Sequence, residues 1–299
     1  MLALIAGLSL CLVSMHAAET STNSLRSSVR LPFEFQHGSV IVRARVNATN
    51  TELSFKLDTG FGVTTVHPDW VETLQLKRAG SLTIIGIAGK EQAGSFTGAR
   101  FDFGGATYSP RRVAVIPSDA EKRHRNRDGI LGASFFRRFV VELDPATHRM
   151  TLHEPGEFQY TGKGEIIPLA FPKDTPVVEA AIHFPNRPPV TARFEIDSGC
   201  DGALCLGHDF VEANRLDETT NSAANDARQG VGGSVNTRPA QLHQFQLGKV
   251  TLDNLPANLF LEGSPVDDGL AGHIGMGVLR RFKVIFDYSR KQMILEPAK

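Results

Sequence analysis

The chain has little of several things that would classify a protein at once. Its 299 residues include three cysteines, one tryptophan and three tyrosines, and lysine plus arginine balance aspartate plus glutamate at 32 each. With no excess of either sign, no global field favours nucleic acid or an anionic membrane. The cationic stretch Glu121 to Arg127 is local and reads as a solvated loop. No His-Glu-x-x-His, no Gly-x-Ser-x-Gly and no phosphate-binding glycine loop occurs. Gly132-Ala133-Ser134-Phe135-Phe136 lacks the final glycine of a nucleophile elbow. His148 and His153 read as surface residues and Asp267-Asp268 as a loop turn, so no metal and no cofactor is expected.

Long apolar runs are absent too, apart from Met1 to Met15, which is short for a bilayer span. Ala17 and Ala18 follow it, then the polar stretch Glu19 to Ser28. Residues 1–18 therefore read as a signal peptide and 19–30 as a flexible segment. The expectation is an exported protein, periplasmic or secreted, without stable membrane insertion once the signal is removed; an uncleaved N-terminal anchor is the alternative. After signal removal only Cys200 and Cys205 remain, which suits an oxidising compartment. A short-loop disulfide and a pair of buried thiols are both open, and no histidine context marks a catalytic cysteine.

What the chain does have is one phrase written twice. Phe55-Lys56-Leu57-Asp58-Thr59-Gly60 returns as Phe194-Glu195-Ile196-Asp197-Ser198-Gly199. The echo extends outward. Arg137-Arg138-Phe139 recurs as Arg280-Arg281-Phe282, Met150 and Leu152 fall on Met293 and Leu295, and Phe103-Gly104-Gly105 corresponds to Leu247-Gly248-Lys249. A period this long lies outside the range of solenoids and means two homologous lobes, placed at 31–157 and 158–299. Some 299 residues suit two ordinary domains.

The local pattern is β throughout. Val40, Val42, Ala44 and Val46 alternate with Ile41, Arg43 and Arg45, and Ala192, Phe194 and Ile196 alternate with Arg193 and Glu195. Period-two alternation bounded by Asn, Gly and Pro reads as half-buried strands. Helices are few and short, at Pro68 to Leu76, Asp209 to Arg215, and Ser134 to Arg138 with its counterpart.

Each repeated acid stands where a strand stops alternating and turns. One aspartate before a hydroxyl residue and a glycine would be an ordinary turn. Two at equivalent places of a duplication supply a pair of carboxylates, Asp58 and Asp197, that a two-fold arrangement brings face to face. Gly60 and Gly199 let the backbone turn tightly behind them, and the Thr59 and Ser198 hydroxyls are placed to bond the opposing loop. Two carboxylates sharing a site hold one proton between them, the arrangement that acid–base hydrolysis through water requires.

With these residues the chain resembles the retropepsin-like and pepsin-like aspartic peptidases, in their bacterial single-chain, two-lobed form, from about Leu31 to Pro297. The resemblance implies an all-β acid-protease fold of two homologous six-stranded β-barrel lobes related by an internal pseudo-two-fold. It implies that Ile130-Leu131-Gly132 threads behind the first acid, and that His273-Ile274-Gly275, with histidine in an ordinarily apolar slot, or the looser match Leu270-Ala271-Gly272 does so behind the second. It implies flaps at Gly86-Ile87-Ala88-Gly89 and Gly230-Val231-Gly232-Gly233, neither carrying the flap tyrosine of pepsin. The implied activity is endopeptidase cleavage of a peptide or protein substrate, with a monomer sufficient because one chain carries both acids. A catalytically silent peptide-binding or scaffolding protein is the alternative.

Overall fold

The computed structural model describes residues 28–117, 127–217, 225–266 and 269–298. The signal segment, most of the 121–127 stretch and Asp267-Asp268 lie outside the described residues. The alternation is realised as read. Strand Ser39–Val46 buries Val40, Val42, Ala44 and Val46 and exposes Arg43 and Arg45, with Ile41 buried as well, and Glu52–Leu57 buries Leu53, Phe55 and Leu57. No described helix is long and apolar enough to cross a membrane.

The chain forms two β-lobes with few short helices. In the second lobe six strands close on themselves in the order Val177–Phe184, Arg187–Ile196, Gly272–Ile274, Leu204–Leu206, Val250–Phe260 and Gly233–Leu247. The last returns to the first through the pairs Ala181 with Gln246 and Ile182 with Phe245. The first lobe follows the same route through Ser39–Val46, Glu52–Leu57, Gly129–Leu131, Thr65–Val66, Val113–Val115 and Gly89–Thr97. Its return to Ser39–Val46 is made by the separate short strand Phe101–Asp102. The long hairpin of the second lobe is thus broken in the first, where Gly98 takes a φ of 92° and Pro110 lacks a donor for the ladder.

The lobes are joined by a six-stranded sheet running Glu165–Pro168, Gln292–Pro297, Phe282–Asp287, Val140–Asp144, Arg149–His153 and Val29–Gln36. Its central pair follows directly on the repeated Arg-Arg-Phe segments. Val141 lies opposite Phe286, and Leu143 opposite Val284, antiparallel across the pseudo-two-fold. The connecting segment around Tyr160 is tied down to this sheet. The Tyr160 hydroxyl donates to Glu296 Oε1 at 2.7 Å and accepts from Gly164 N at 2.6 Å.

In both lobes a three-residue strand lies parallel to the strand that carries the acid. Leu131 sits beside Leu57 and Ile130 beside Lys56; in the second lobe Ile274 sits beside Ile196 and His273 beside Glu195. The amide of Asp58 donates to Leu131 O at 3.1 Å, and that of Asp197 to Ile274 O at 2.9 Å. Gly132 and Gly275 then pass so close to the carbonyls of Phe61, Val63, Cys200 and Gly202 that neither position has room for a Cβ. His273-Ile274-Gly275 is therefore the counterpart of Ile130-Leu131-Gly132.

Candidate active site

The two Asp-Thr/Ser-Gly turns meet at the lobe interface and lock reciprocally. Thr59 Oγ1 donates to Ile196 O at 2.7 Å and accepts from Ser198 N at 2.9 Å. In return Ser198 Oγ donates to Leu57 O at 3.2 Å and accepts from Thr59 N at 3.0 Å. Both hydroxyl residues are fully buried, so each of these bonds is made away from competing water. The lock sets Asp58 and Asp197 side by side, both lining one cavity.

The glycines behind the acids have a different reason from the one the sequence suggests. Gly60 and Gly199 are not among the residues with positive φ, so a special turn conformation is not what selects them. A Cβ on Gly199 would overlap the Asp58 carboxyl, and one on Gly60 would come within 2.8 Å of Asp197 Cγ. Each glycine makes room for the opposite carboxylate.

The surroundings of the pair are unequal. Beside Asp58, Lys56 Nζ stands 3.7 Å from Oδ2 and donates to the Gly199 carbonyl at 2.5 Å. Beside Asp197, His273 Nδ1 stands 3.1 Å from Oδ2 while its Nε2 is 3.9 Å from Glu195 Oε2. Burial, and then the charge of Asp197, push the Asp58 carboxyl up to about 6, against the pull of Lys56 and Arg127. Glu195 is raised to about 7, chiefly by burial and against the pull of His273. Burial opposes the His273 imidazolium, but Asp197, Cys200 and Glu195 overcome it and raise the ring to about 10. His273 is therefore a buried cation inside an acidic cradle.

Sequence reasoning flagged His273 as a departure but gave it no task, and passed over Lys56, Glu195 and Arg127. A usable signal existed. Lys56 and Glu195 each stand two residues before an acid, the spacing that puts side chains on one face of a strand. Arg127, read as part of a solvated loop, instead lines the cavity. The fold also collects Asp197, Cys200 and His273, with donor atoms within 4.8 Å of one another. Cys200 and Cys205 are both free, with their sulfurs 3.3 Å apart.

The acids lie on the floor of a cavity of about 610 Å³. Hairpin Lys77–Gly86/Gly89–Thr97 reaches over it from the first lobe, and hairpin Asp226–Gly230/Gly233–Leu247 from the second. Their tips touch, with Ala88 N donating to Val231 O at 3.3 Å. Each tip also packs into the other lobe. Ile87 and Ala88 join Cys205, Val235 and Phe260, and Val231 joins Ile84, Ala93, Ala114 and Ile116. The glycine-rich segments expected as flaps form these two tips, and Gly86, Ile87, Gly230 and Val231 line the cavity together with the acids. At the contact, Gly86 and Gly232 leave no space for side chains between the tips.

This duplicated, two-lobed architecture with paired acids is the aspartic protease fold. The family model described as aspartyl protease matches residues 42–135 and again 186–278, each stretch containing one of the acids. These stretches make up more than half of the chain, which belongs to the aspartyl protease family. Among solved structures, the aspartic proteinase from Irpex lacteus is similar with a TM-score of 0.58 and 15% identity, over 91% of this chain and 98% of that one. That likeness is one of fold. No curated protein sequence matches the chain. Family and fold together support a protease-like function.

Proposed function

We propose that the chain is an aspartic-type endopeptidase that hydrolyses peptide bonds with a water activated between Asp58 and Asp197. The observation that carries this reading is the pair of acids, each backed by the other loop's glycine and locked by reciprocal hydroxyl bonds, under two touching hairpins. Like charges this close keep one proton between them. Asp58 is the acid whose carboxyl is pushed up, to about 6, and the nearer cation, His273, stands on the Asp197 side, so the proton resides on Asp58. Asp197 then takes a proton from water as it attacks the peptide carbonyl, and Asp58 donates to the oxyanion. The substrate lies extended beneath the hairpins, whose opening admits it.

One chain supplies both acids, so a monomer is sufficient, and export through residues 1–18 belongs to the same proposal. The test is incubation of the mature protein with a diverse peptide library across pH, with and without a statine-type transition-state mimic. Cleavage blocked by the mimic, with an alkaline limb near pH 6 as Asp58 gives up its proton, is the expected result. No inhibitable cleavage at any pH would establish the silent peptide-binding alternative instead.

A further inference from the structure

The second lobe carries a donor set that hydrolysis by two acids does not use. Asp197, Cys200 and His273 offer an oxygen, a sulfur and a nitrogen, all within 4.8 Å of one another. The Asp197 Oδ2 to His273 Nδ1 separation is 3.1 Å. Tetrahedral zinc, with bonds of about 2.0–2.3 Å, spaces its ligand atoms roughly 3.3–3.8 Å apart. Shifts within the reach of side-chain torsions would therefore close the three donors on one ion. Asp197 and His273 are buried, Cys200 is half-buried, and all three line the cavity, which gives an ion a way in.

Two more features fit a metal centre. Glu195 lies 3.9 Å from the far nitrogen of His273, and a carboxylate behind a histidine fixes the ring of a metal ligand. The set is also peculiar to this lobe, since the duplicated positions in the first lobe hold Phe61 for Cys200 and Ile130 for His273. Two-fold chemistry does not explain why the second lobe alone should carry a thiol and an imidazole at its acid.

We propose that Asp197, Cys200 and His273 form a binding site for one zinc-class divalent cation, and that the bound ion withdraws Asp197 from Asp58 and arrests hydrolysis. The mixed nitrogen, sulfur and oxygen set selects a borderline-soft ion over magnesium or calcium, which require oxygen ligands. As the metal bonds form, the Cys200 thiol and the His273 ring release protons to solvent, and water takes the fourth position, open to the cavity. Binding stands independently of the peptidase reading; arrest of hydrolysis rests on it.

Cobalt(II), titrated into the full-length protein as purified and followed by absorption, tests the site directly. The expected result is one ion per chain with a thiolate-to-cobalt charge-transfer band, abolished by zinc and untouched by magnesium. Cys200→Ser should remove the band and weaken zinc binding about tenfold or more, His273→Gln should weaken it likewise, and Cys205→Ser should keep the band. Thermal melts establish that each variant is folded. The site is overturned if no band forms, including because Cys200 and Cys205 prove to be bridged. It is also overturned if the band survives Cys200→Ser, or if Cys205→Ser removes it. Peptide cleavage, compared with each variant's own zinc-free rate, then reads the arrest: zinc should inhibit the parent protein more strongly than Cys200→Ser. Cobalt binding as described in a protein that cleaves nothing upholds the site and defeats the peptidase reading. Cleavage without a cobalt band does the reverse.

Discussion

The two lobes repeat one backbone plan and fill its most sensitive positions oppositely. Two residues before the acid, the first lobe has Lys56 and the second Glu195. Beside these, on the parallel strand, stand Ile130 and His273. In the first lobe a cation at the rim of the cavity reaches across to the other turn, bonding Gly199 O. In the second the cation is buried on the threaded strand and a carboxylate takes the place of the lysine. The swap is paired, since the buried Glu195 without the histidine would stand near Asp197 without that cation. Duplication thus kept what a two-fold needs for geometry, namely the hydroxyl lock and the glycines. It let the electrostatics around the two acids diverge.

Breaking the symmetry at the acids themselves should have the largest effect. Asp58→Asn and Asp197→Asn should each lower peptide cleavage by about 10³-fold or more while melting as folded protein. Full activity in either variant would rule out a shared pair. Next come the glycines. Gly199→Ala drives a methyl into Asp58 and Gly60→Ala meets Asp197 less closely. Overpacking of this kind costs about 1–3 kcal/mol, and Gly199→Ala should be the worse of the two in both melting temperature and rate. Equal effects would mean that the acid pair sits symmetrically between the turns.

His273→Ile makes the second lobe match the first at this position and removes a cation from the acid pair. Both limbs of the pH–rate profile should move to higher pH, because carboxyl groups without a nearby positive charge hold their protons longer. Lys56→Leu should shift the profile in the same direction by less, since Lys56 is the more distant cation, at 3.7 Å against 3.1 Å. A larger shift for Lys56→Leu would reverse the assignment of the proton to Asp58.

The smallest effect is on stability against pH in the unmodified protein. Asp58 rises from an ordinary value of 3.8 to about 6, Glu195 from 4.5 to about 7, and His273 from 6.5 to about 10. All three bind protons more tightly folded than unfolded. The stability they contribute is full below their ordinary values and is lost as pH rises through the folded ones. Melting temperature should therefore fall between pH 5 and pH 9. Glu142, held below its ordinary value by His153 and Lys283 against the effect of burial, acts in the opposite sense at the acid end. In His273→Ile the decline between pH 7 and 9 should flatten; an unchanged slope would show that the ring is not charged in the folded protein.

Much of this molecule could be read along the chain because a duplication writes its constraints twice. The strands follow from period-two alternation at Ser39–Val46 and Glu52–Leu57. The acid pair follows from its repetition before Gly60 and Gly199, and the two lobes from the echo that extends to the repeated Arg-Arg-Phe segments. These are local patterns, fixed by which faces of a strand must be buried. The unequal surroundings of the acids were out of reach, because they depend on contacts between residues distant in sequence. His273 meets Glu195 only when Gly272–Ile274 lies parallel to Arg187–Ile196, and Cys200 meets both His273 and Asp197 only once Gly275 has threaded past its carbonyl. Even the role of the glycines changed, since the chain suggests a turn and the fold shows a neighbouring carboxylate. That two carboxylates face each other is a consequence of repetition; which of them carries the proton is a matter of distance, and distance exists only after folding.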